Sequence, residues 1–570
     1  MKNLKIIVPV LGLLFASCDN YFDVNTNPNE LLTAQGLPTQ FLPAAELGQF
    51  RIQSNTMNRL GLLFSNATGG NVQSYASPFN TEFSLNLSTS SYSGIFEGLA
   101  VNSSNFQKII DYNDPDNKYV GCKAIAKIYK VYNLQYLVDL YGNIPYSQAF
   151  QGDANLTPAY DDDQQIYKKL LIELDEARVL LADLQSNVYP NNSDLANLDI
   201  VLGGDYLAWE QFANTIELKM LLRMSKTTGA TAAWRDVRLT GLAGKSFVSQ
   251  DITINPGFNN STDSQVNPFI TAFGWDAAGN TTNRNLFCAS GHIVKALNPY
   301  TSVNYSSPAA QEVVAGSGVF YPNVLDPRRS RLFSFAGTSP TSYQKGVTQG
   351  STAPDVYYPS PSVTSTGQPS KFSPFFFNPH FQVAPGNASG LPNTNVGNFY
   401  ANVDGYIMTI AESYFLQAEA AHLGATTSPA YAVLGLDASA SFNAGVTATM
   451  SHYTAAIGTY LTTINTKPNF GYNAAFTPAQ NYHAIMFQKW IALLNSNAIE
   501  SYLDNTRTGY PLNPMPIGTT RTKRPYRLLY PTSEYIANAN NVPNVSIDNI
   551  FDITNKYVPF WLQGDPALGQ

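Results

Sequence analysis

The residues with the clearest catalytic potential in this chain are its histidines, because imidazole acts as a general base and as a metal ligand near neutral pH. They are widely separated along the sequence: His292, His380, His422, His452 and His483. None has a second histidine four residues away, so there is no zinc-protease helix. No G-x-S-x-G nucleophile elbow occurs either. The sequence therefore predicts no catalytic residue, no resident metal and no cofactor.

Two polar segments resemble ligand-binding loops in composition only. The segment 241–246 reads GLAGKS and ends like a phosphate loop, but Leu239 stands where the first glycine is needed. The segment 111–116 reads DYNDPD, but Pro115 takes a calcium-ligand position and no glutamate follows at the twelfth position. We interpret it as a polar turn before a helix. A glycosidase needs two facing carboxylates, which spacing does not reveal, so a hydrolase stays an open alternative without a supporting motif.

The composition restricts the classes of partner. The 570 residues include 33 basic and 40 acidic side chains, a net charge of −7, and only 13% are charged, against about a quarter in ordinary soluble proteins. An acidic balance without Lys/Arg runs argues against nucleic acid, and 44% hydrophobic residues argue against disorder. The chain instead has 34 Tyr, 32 Phe and 5 Trp. Such a surface is suited to hydrogen bonds and ring contacts rather than ion pairs.

The N-terminus has the layout of a secretory signal peptide. Lys2 and Lys5 precede an apolar run over 6–15, which is too short to span a bilayer, since that takes about 20 residues. The sequence FASC at 15–18 resembles a bacterial lipobox, in which the cysteine is lipidated and becomes the first mature residue. We therefore predict a lipoprotein signal peptide over 1–17, lipidated Cys18 and a tether over 18–36. The alternative is an ordinary signal peptide with a nearby cysteine. Cys122 and Cys288 remain, and whether they pair stays open.

Helical periodicity marks two clusters of elements. Apolar residues at three- and four-residue steps predict helices over 120–142, 166–181 and 206–225, and again over 407–424, 444–461 and 485–494, with a first helix near Leu42. The clusters occupy about 118–226 and 405–500. Between them, about 240–400 is rich in Gly, Pro, Ser, Thr and Asn, which predicts turns, short strands and long loops. No clean linker separates these parts, so we predict a single domain over 37–570.

Several segments, in this order, resemble the SusD/RagB family of nutrient-binding outer-membrane lipoproteins of Bacteroidetes. They are DLYGNIPYSQA at 139–149, GGD at 203–205 with Trp209, FANT at 212–215 leading to Arg223 and Ser225, DPR at 326–328, ESYFLQAEA at 412–420, QKWIA at 488–492, RTGYP at 507–511, and Arg527, Tyr530, Pro531, Glu534 and Asn538. Asn143 and Gln148 replace acids that are commoner in the family. The resemblance extends over nearly the whole mature chain.

The resemblance implies a fold and a role. The fold is mainly α-helical, with tetratricopeptide-like helix pairs that cradle a loop-rich region with short strands. The implied role is that of a lipid-anchored, cell-surface lid on a SusC-like TonB-dependent outer-membrane transporter. This lid captures a nutrient and is not an enzyme. The aromatic, weakly charged composition suits oligosaccharides but also suits peptides, so both ligands stay open. A surface hydrolase or an adhesin is the third alternative.

Ligand-binding residues are expected on loops held by the helices. One candidate region follows the first helix, where starch-binding relatives of the family contribute stacking aromatics. The other lies in the loop-rich middle, where Trp275 is flanked by Gly274 and a polar stretch, so that a buried and a ligand-binding tryptophan stay open. The candidates are Asn71, Gln73, Tyr75, Phe79 and Tyr92 in the first region, and Trp275, Asp276, Asn283 and Arg284 in the second. We interpret Arg223, Arg328 and Arg507 as structural, and the aromatic and alanine positions of 412–421 as core.

Overall fold

The computed structural model describes residues 36–299, 321–335, 344–351, 356–357, 368–380 and 402–563. The predicted signal peptide, Cys18 and all but the last residue of the tether lie outside these residues. In the described part of the chain, no helix has both the length and the apolar character needed to cross a membrane.

The first helical cluster is a series of neighbouring helices packed side by side, as the apolar stripes predict. Helix α1 (Pro38–Ile52) ends in a π-helical turn over Gln53–Met57. The helices α4 (Ser93–Ile110), α5 (Val120–Tyr141), α6 (Asp163–Gln185) and α7 (Tyr206–Arg223) each pack on the next helix in the chain. Asp162 caps α6 by accepting a hydrogen bond from the amide of Gln165 at 3.0 Å. Gly142 ends α5 with φ +71°. The bounds are α1 Pro38–Ile52, α2 Asn58–Phe64, α3 Asn80–Ser84, α4 Ser93–Ile110, α5 Val120–Tyr141, α6 Asp163–Gln185, α7 Tyr206–Arg223 and α8 Gly229–Leu242.

The second cluster begins with α13 (Ile410–Ala425) and ends with α17 (Ala498–Thr508). Helix α13 packs against α7 of the first cluster and against α14 (Ala438–His452) and α16 (Pro478–Ala492). The prediction of one helix over 444–461 is wrong. The chain instead forms α14 and α15, because Thr454 and Gly458 take the left-handed conformation between them. The prediction that the fourth helix begins at Ile407 is also wrong, because Ile407 belongs to a strand. The bounds are α9 Pro268–Phe273, α10 Gly291–Leu297, α11 Arg329–Leu332, α12 Pro374–Phe377, α13 Ile410–Ala425, α14 Ala438–His452, α15 Tyr460–Ile464, α16 Pro478–Ala492, α17 Ala498–Thr508 and α18 Thr532–Ala537.

Two of the described antiparallel strand pairs, Thr68–Gly70 with Phe287–Ala289 and Ile252–Ile254 with Gly405–Met408, connect the loop-rich middle to the helices. Strand β1 pairs with β5, β2 with β3, β4 with β8, and β6 with β7. The β1–β5 pair matters most for the site, because it joins the segment after α2 to the segment before α10. The strands are β1 Thr68–Gly70, β2 Ile144–Pro145, β3 Tyr160–Asp161, β4 Ile252–Ile254, β5 Phe287–Ala289, β6 Gly346–Val347, β7 Val356–Tyr357 and β8 Gly405–Met408.

One close helix crossing requires a glycine. Helices α2 and α17 cross at Gly61, where an added Cβ would lie 2.1 Å from the carbonyl carbon of Ala498. No side chain fits at that distance from a backbone atom. The crossing fixes the N-terminal helices against the C-terminal part of the second cluster, and the segment that carries β1 follows α2 directly.

Charged side chains buried between the two clusters form what we call the ionic core. Arg223 of α7 contacts Asp139 at 3.2 Å, Glu500 at 2.5 Å and Asp504 at 3.1 Å. The remaining pairs are Lys219 with Glu412 at 2.7 Å and with Glu500 at 3.3 Å, Lys489 with Asp504 at 2.7 Å, and Arg507 with Asp504 at 3.0 Å and with Glu419 at 2.6 Å. All nine side chains are at most 3% exposed. The structural role predicted for Arg223 and Arg507 is confirmed, and Arg328 likewise pairs with Asp326 at 2.6 Å.

The pKa values of the acids in the ionic core are shifted in opposite directions. Burial raises the pKa of Glu412, and it also raises that of Asp139 despite the adjacent Arg223. Burial opposes ionisation of Glu500 too, but Arg223, Lys219 and Lys489 outweigh it and lower its pKa to about 2. Five acids face four bases, so a proton on Glu412 or Asp139 would make the group neutral. A neutral group suits an interior in which unpaired charge is costly.

Candidate functional site

The two regions predicted to bind ligand come together on one surface, which we call the loop face: residues 71–79, 273–287 and 368–372. The β1–β5 pairing places Gly70 opposite Phe287. Immediately beyond it, the amide of Asn71 donates to the carbonyl of Leu286 at 2.9 Å. The meeting of the two regions is therefore a direct consequence of strand pairing.

Asn71 organises the loop face from the inside. Its side chain is fully buried, and its Nδ2 donates to the carbonyl of Asn285 at 2.9 Å and to Oε1 of Gln368 at 3.0 Å. Its Oδ1 accepts from the amide of Gln73 at 3.2 Å, which forms an Asx turn. Asn71 therefore joins three segments and positions its neighbours.

Gln73 and Tyr75 are the predicted residues that reach the surface of the first segment. The Tyr75 side chain is 41% exposed, and neither its ring nor its hydroxyl contacts a described residue by stacking or hydrogen bonding. Ser74 between them donates to Oε1 of Gln368 at 3.1 Å. Gln368 is itself exposed, and its Nε2 has no acceptor among the described residues. The segment thus presents an aromatic ring beside amide and hydroxyl groups.

Phe79 and Tyr92 support the loop rather than line it. Phe79 is 7% exposed and lies 4.6 Å from the ring of Phe287. The Tyr92 hydroxyl donates to Glu82 at 2.9 Å, and burial together with that carboxylate raises the pKa of Tyr92 well above its ordinary value. Phe79 has φ +61° and Tyr92 φ +59°, a left-handed conformation that costs about 1–3 kcal/mol at non-glycine residues. The surrounding contacts maintain this strain.

Trp275 forms the inner wall of the second segment. Its ring is 9% exposed, lies 5.1 Å from Phe377, and has the Arg284 guanidinium 4.8 Å above it. Arg284 also donates to the carbonyl of Phe372 through Nε at 3.1 Å and a terminal nitrogen at 2.8 Å. Of the two alternatives for Trp275, the structure therefore shows a mostly buried ring. Arg284 connects it to the 368–372 segment.

The remaining predicted residues, Asp276 and Asn283, participate in local turns. The Asp276 carboxylate accepts from the amide of Asn280 at 2.8 Å and from its Nδ2 at 3.0 Å, and these bonds lower its pKa. Asn283 is exposed, and its Nδ2 donates to the carbonyl of Ala272 at 2.8 Å. The Asn283 side-chain oxygen accepts no hydrogen bond from a described residue, whereas the Asp276 carboxylate is used by its own turn.

The 368–372 segment is the part of the loop face that sequence reasoning missed. Lys371 donates to Oδ1 of Asn285 at 2.7 Å, and burial beside Arg284 lowers the pKa of its ammonium group. Phe372 stacks on Phe376 with centroids 4.3 Å apart. The segment is nearly 300 residues from Asn71 in the sequence, and no local pattern marks it as its neighbour.

His292, His483 and the two cysteines of the described part of the chain are buried. Burial lowers the pKa of His292 well below its ordinary value and that of His483 to about 4. Their ring nitrogens contact the Tyr321 hydroxyl at 3.0 Å and the Asn469 carbonyl at 2.7 Å. Cys122 and Cys288 are both buried free thiols. Among the described residues, no group of three or more His, Cys, Asp or Glu side chains could hold a metal ion.

Comparison with known proteins identifies both a sequence family and a fold. A family model described as "Starch-binding associating with outer membrane", SusD-like, matches residues 29–302 and 323–531. No curated protein sequence matches the chain. Among solved structures, a chitin-binding SusD homologue from Flavobacterium johnsoniae aligns with a TM-score of 0.61 at 19% identity, covering 92% of this chain and 99% of its own. A SusD homologue from Parabacteroides distasonis aligns at 0.63 with 18% identity, covering 93% and 98%. A SusD-like protein from Bacteroides thetaiotaomicron aligns at 0.59 with 18% identity, covering 92% and 99%.

Proposed function

The chain belongs to the SusD-like family of starch-binding proteins that associate with the outer membrane, and from this premise we propose that it captures oligosaccharides at the cell surface as the lid of a SusC-like TonB-dependent transporter. The mainly α-helical, tetratricopeptide-like fold is common to this chain and its solved relatives. In this proposal, Cys18 carries the lipid anchor, and the transporter supplies the energy of uptake. The chain itself binds and releases ligand without catalysis.

The exposed Tyr75 and Gln368, together with the partly buried Gln73, form the cluster that carries the proposal. A sugar ring presents an apolar C–H face and a rim of hydroxyls, which are complementary to a tyrosine ring beside amide groups. Tyr75 is exposed, whereas Phe79 in the same segment is buried against Phe287, so the segment presents an exposed ring near a buried anchor. One solved relative is a chitin-binding SusD homologue, which supports a saccharide as the ligand.

The test of ligand binding compares Tyr75→Ala with a matched tyrosine elsewhere. Tyr189, on the turn after α6, is partly buried, and its side chain makes no hydrogen bond or ring contact with a described residue, so Tyr189→Ala serves as the control. We expect maltoheptaose or chitohexaose to bind the unmodified protein in titration calorimetry. Tyr75→Ala should weaken binding at least tenfold, and Tyr189→Ala should leave it unchanged. Equal affinities for all three proteins would contradict the assignment of Tyr75.

Peptide capture is the other outcome of the same experiment. A mixture of tryptic peptides replaces the oligosaccharides in a parallel titration. Binding of peptides with no saccharide bound would keep the capture role and replace the ligand class. Turnover of the oligosaccharide, followed by chromatography of the titrated sample, would instead favour the hydrolase alternative.

The lid role is tested in the native membrane. Full-length protein with a C-terminal affinity tag is purified in mild detergent, with Cys18→Ala as the matched variant that lacks the lipid-bearing thiol. We expect a TonB-dependent barrel to co-purify with the unmodified chain, and the variant to be lost from the outer-membrane fraction. Recovery of the tagged chain from that fraction without a barrel would contradict the lid role.

A further inference from the structure

A second cleft, which we call the α13–α14 cleft, lies between these two helices, and its lining includes no loop-face residue. Its volume is about 600 Å³. The side chains that line it include Asp251, His380, Tyr414, Asn443, Thr447 and His452. The loop face uses none of these residues.

Tyr414 provides the cleft with an aromatic surface. The apolar spacing of 412–421 predicts Tyr414 in the core, but the structure leaves it partly exposed, whereas Phe415 and Ala418 on the same helix are fully buried. This part of the core prediction is therefore wrong. The Tyr414 ring has no stacking partner and its hydroxyl no hydrogen-bond partner among the described residues, and the facing positions of α14 carry the small residues Ala444 and Ala448. Space is therefore left beside an unused ring.

Asp251 provides a fixed, charged acceptor. Its Oδ1 accepts from the amide of Ile410 at 2.7 Å, and its Oδ2 lies 3.7 Å from Nδ1 of His452. Burial opposes ionisation, but His452 and the amide outweigh it and hold the pKa of Asp251 below its ordinary value. The carboxylate is 28% exposed. It is therefore held from behind and open to the cleft.

The orientation of His452 follows from its neighbours. Nδ2 of Asn495 donates to the carbonyl of Phe376 at 3.1 Å, so Oδ1 of Asn495 is the acceptor for Nε2 of His452 at 3.0 Å and for the Tyr453 hydroxyl at 2.9 Å. The Nε2 nitrogen therefore carries a proton, and Nδ1 points toward Asp251. His452 is buried, and its Nδ1 makes no hydrogen bond to a described residue. The amide of Ile410 therefore positions the Asp251 carboxylate, and the exposed part of the carboxylate stays open to the cleft.

Asn443 adds a donor on the α14 side. Its Oδ1 accepts from Nδ2 of Asn465 at 3.0 Å, which fixes the amide and leaves Nδ2 without an acceptor among the described residues. The cleft then combines an aromatic ring, a carboxylate acceptor and an amide donor. A pair of neighbouring sugar hydroxyls needs such an acceptor and such a donor, and the ring receives the C–H face.

We propose that the α13–α14 cleft is a second saccharide-binding site, selective for neutral sugars. The Asp251 carboxylate disfavours uronates and other anionic sugars, because like charges at close range repel. The choice of a saccharide rests on the proposed function, whereas the location rests on Tyr414, Asp251 and Asn443. A site apart from the loop face would give the chain a second contact with a long polymer, and linked contacts raise avidity.

The test uses variants that separate the two sites. Native mass spectrometry counts bound maltoheptaose or chitohexaose on the full chain, on Tyr75→Ala for the loop face, on Tyr414→Ala for the cleft, and on Tyr189→Ala as control. Tyr414→Phe keeps the ring. We expect two bound oligosaccharides on the unmodified protein and on Tyr189→Ala, but one on Tyr75→Ala and one on Tyr414→Ala. In Tyr414→Phe, the affinity of the cleft for the oligosaccharide should stay within about threefold of the value for the unmodified protein. Glucuronate oligomers should fail to bind in the cleft.

The outcomes distinguish the two proposals. One bound oligosaccharide that Tyr75→Ala removes and Tyr414→Ala leaves would overturn the cleft and keep the proposed function. One that only Tyr414→Ala removes would support the cleft and overturn the loop face. If no oligosaccharide binds, both saccharide assignments fail. If the cleft binds a trilysine peptide and no sugar, it is a site for basic peptides, and the saccharide proposal is overturned.

Discussion

The ionic core and the loop face use polar groups in opposite ways. In the ionic core, nine charged side chains are buried between helices and contact one another. On the loop face, Gln73, Tyr75 and Gln368 are uncharged and only partly engaged with the described residues; Tyr75 and Gln368 are exposed, and Gln73 is partly buried. Some of the few charged side chains of this chain therefore serve to join helices. The surface proposed for ligand contact relies on rings and amides.

The comparison shows how the two regions depend on each other. Asn71 and Trp275 are mostly buried and hold the exposed residues in place. Helix α2, which precedes the loop face in the chain, is fixed against α17 at Gly61. Helix α17 carries Glu500 and Asp504 of the ionic core. A change in the ionic core should therefore act on global stability, and a change at an exposed loop-face residue on ligand affinity. The predictions below test this separation.

The largest effect is expected from Arg223→Ala. It leaves Asp139, Glu500 and Asp504 without their shared cation, and the loss of one partner of a buried ion pair costs about 3–5 kcal/mol. Guanidinium unfolding followed by circular dichroism measures the difference. The matched control is Arg521→Ala, which breaks the solvent-exposed pair with Asp548 and should change stability by less than about 1 kcal/mol. Similar losses in both variants would contradict the distinction between the ionic core and an ordinary surface pair.

Trp275→Ala should lower both the stability of the protein and its affinity for the oligosaccharide. Removal of a mostly buried tryptophan costs about 3 kcal/mol, and Arg284 loses the ring beneath it. We expect a lower free energy of unfolding and weaker oligosaccharide binding, measured on the same preparation. A folded variant with unchanged ligand affinity would remove Trp275 from the candidate site.

Glu500→Gln should change the acid limb of the stability profile. The pKa of Glu500 is lowered to about 2 in the folded protein, so its contribution is fully present above the unfolded-state pKa of about 4.3 and is lost as pH falls through about 2. A shift of this size corresponds to roughly 2–3 kcal/mol. Unfolding free energies measured from pH 7 to pH 2 should fall more steeply for the unmodified protein than for Glu500→Gln. Parallel profiles would show that Glu500 is not held ionised by its neighbours.

The smallest effect is expected from Gln368→Ala on the loop face. The change removes the acceptor for Asn71 and Ser74, together with an Nε2 group that has no acceptor among the described residues. We therefore expect about a threefold loss of oligosaccharide affinity, or about 0.6 kcal/mol. The free energy of unfolding should change by about 1 kcal/mol or less, which is the usual worth of such hydrogen bonds. Titration calorimetry and urea unfolding measure the two quantities. A large fall in stability with unchanged affinity would show that Gln368 belongs to the scaffold alone.

The sequence predicted the helices better than their ends and breaks. The stripe over 120–142 corresponds to Val120–Tyr141, and the acids at 161–163 stand at the start of α6, because periodicity and capping are local. The break between α14 and α15 was missed, since Thr454 takes a left-handed conformation that its residue type does not favour. The helical spacing of 412–421 predicts Tyr414 in the core, but the structure leaves it partly exposed. Its exposure depends on the small residues of α14 opposite it.

What the sequence determined by itself is the set of local elements and, through the order of its motifs, the family. The structural roles of Arg223, Arg328 and Arg507 could also be expected, because guanidinium groups seldom stay buried without partners. Only the tertiary structure decided which residues share a surface. The β1–β5 pairing and the hydrogen bonds of Asn71 bring 71–79, 273–287 and 368–372 together. These contacts span hundreds of residues, and the physical reason they escape prediction is that no periodicity or spacing records which distant strand a short strand will pair with.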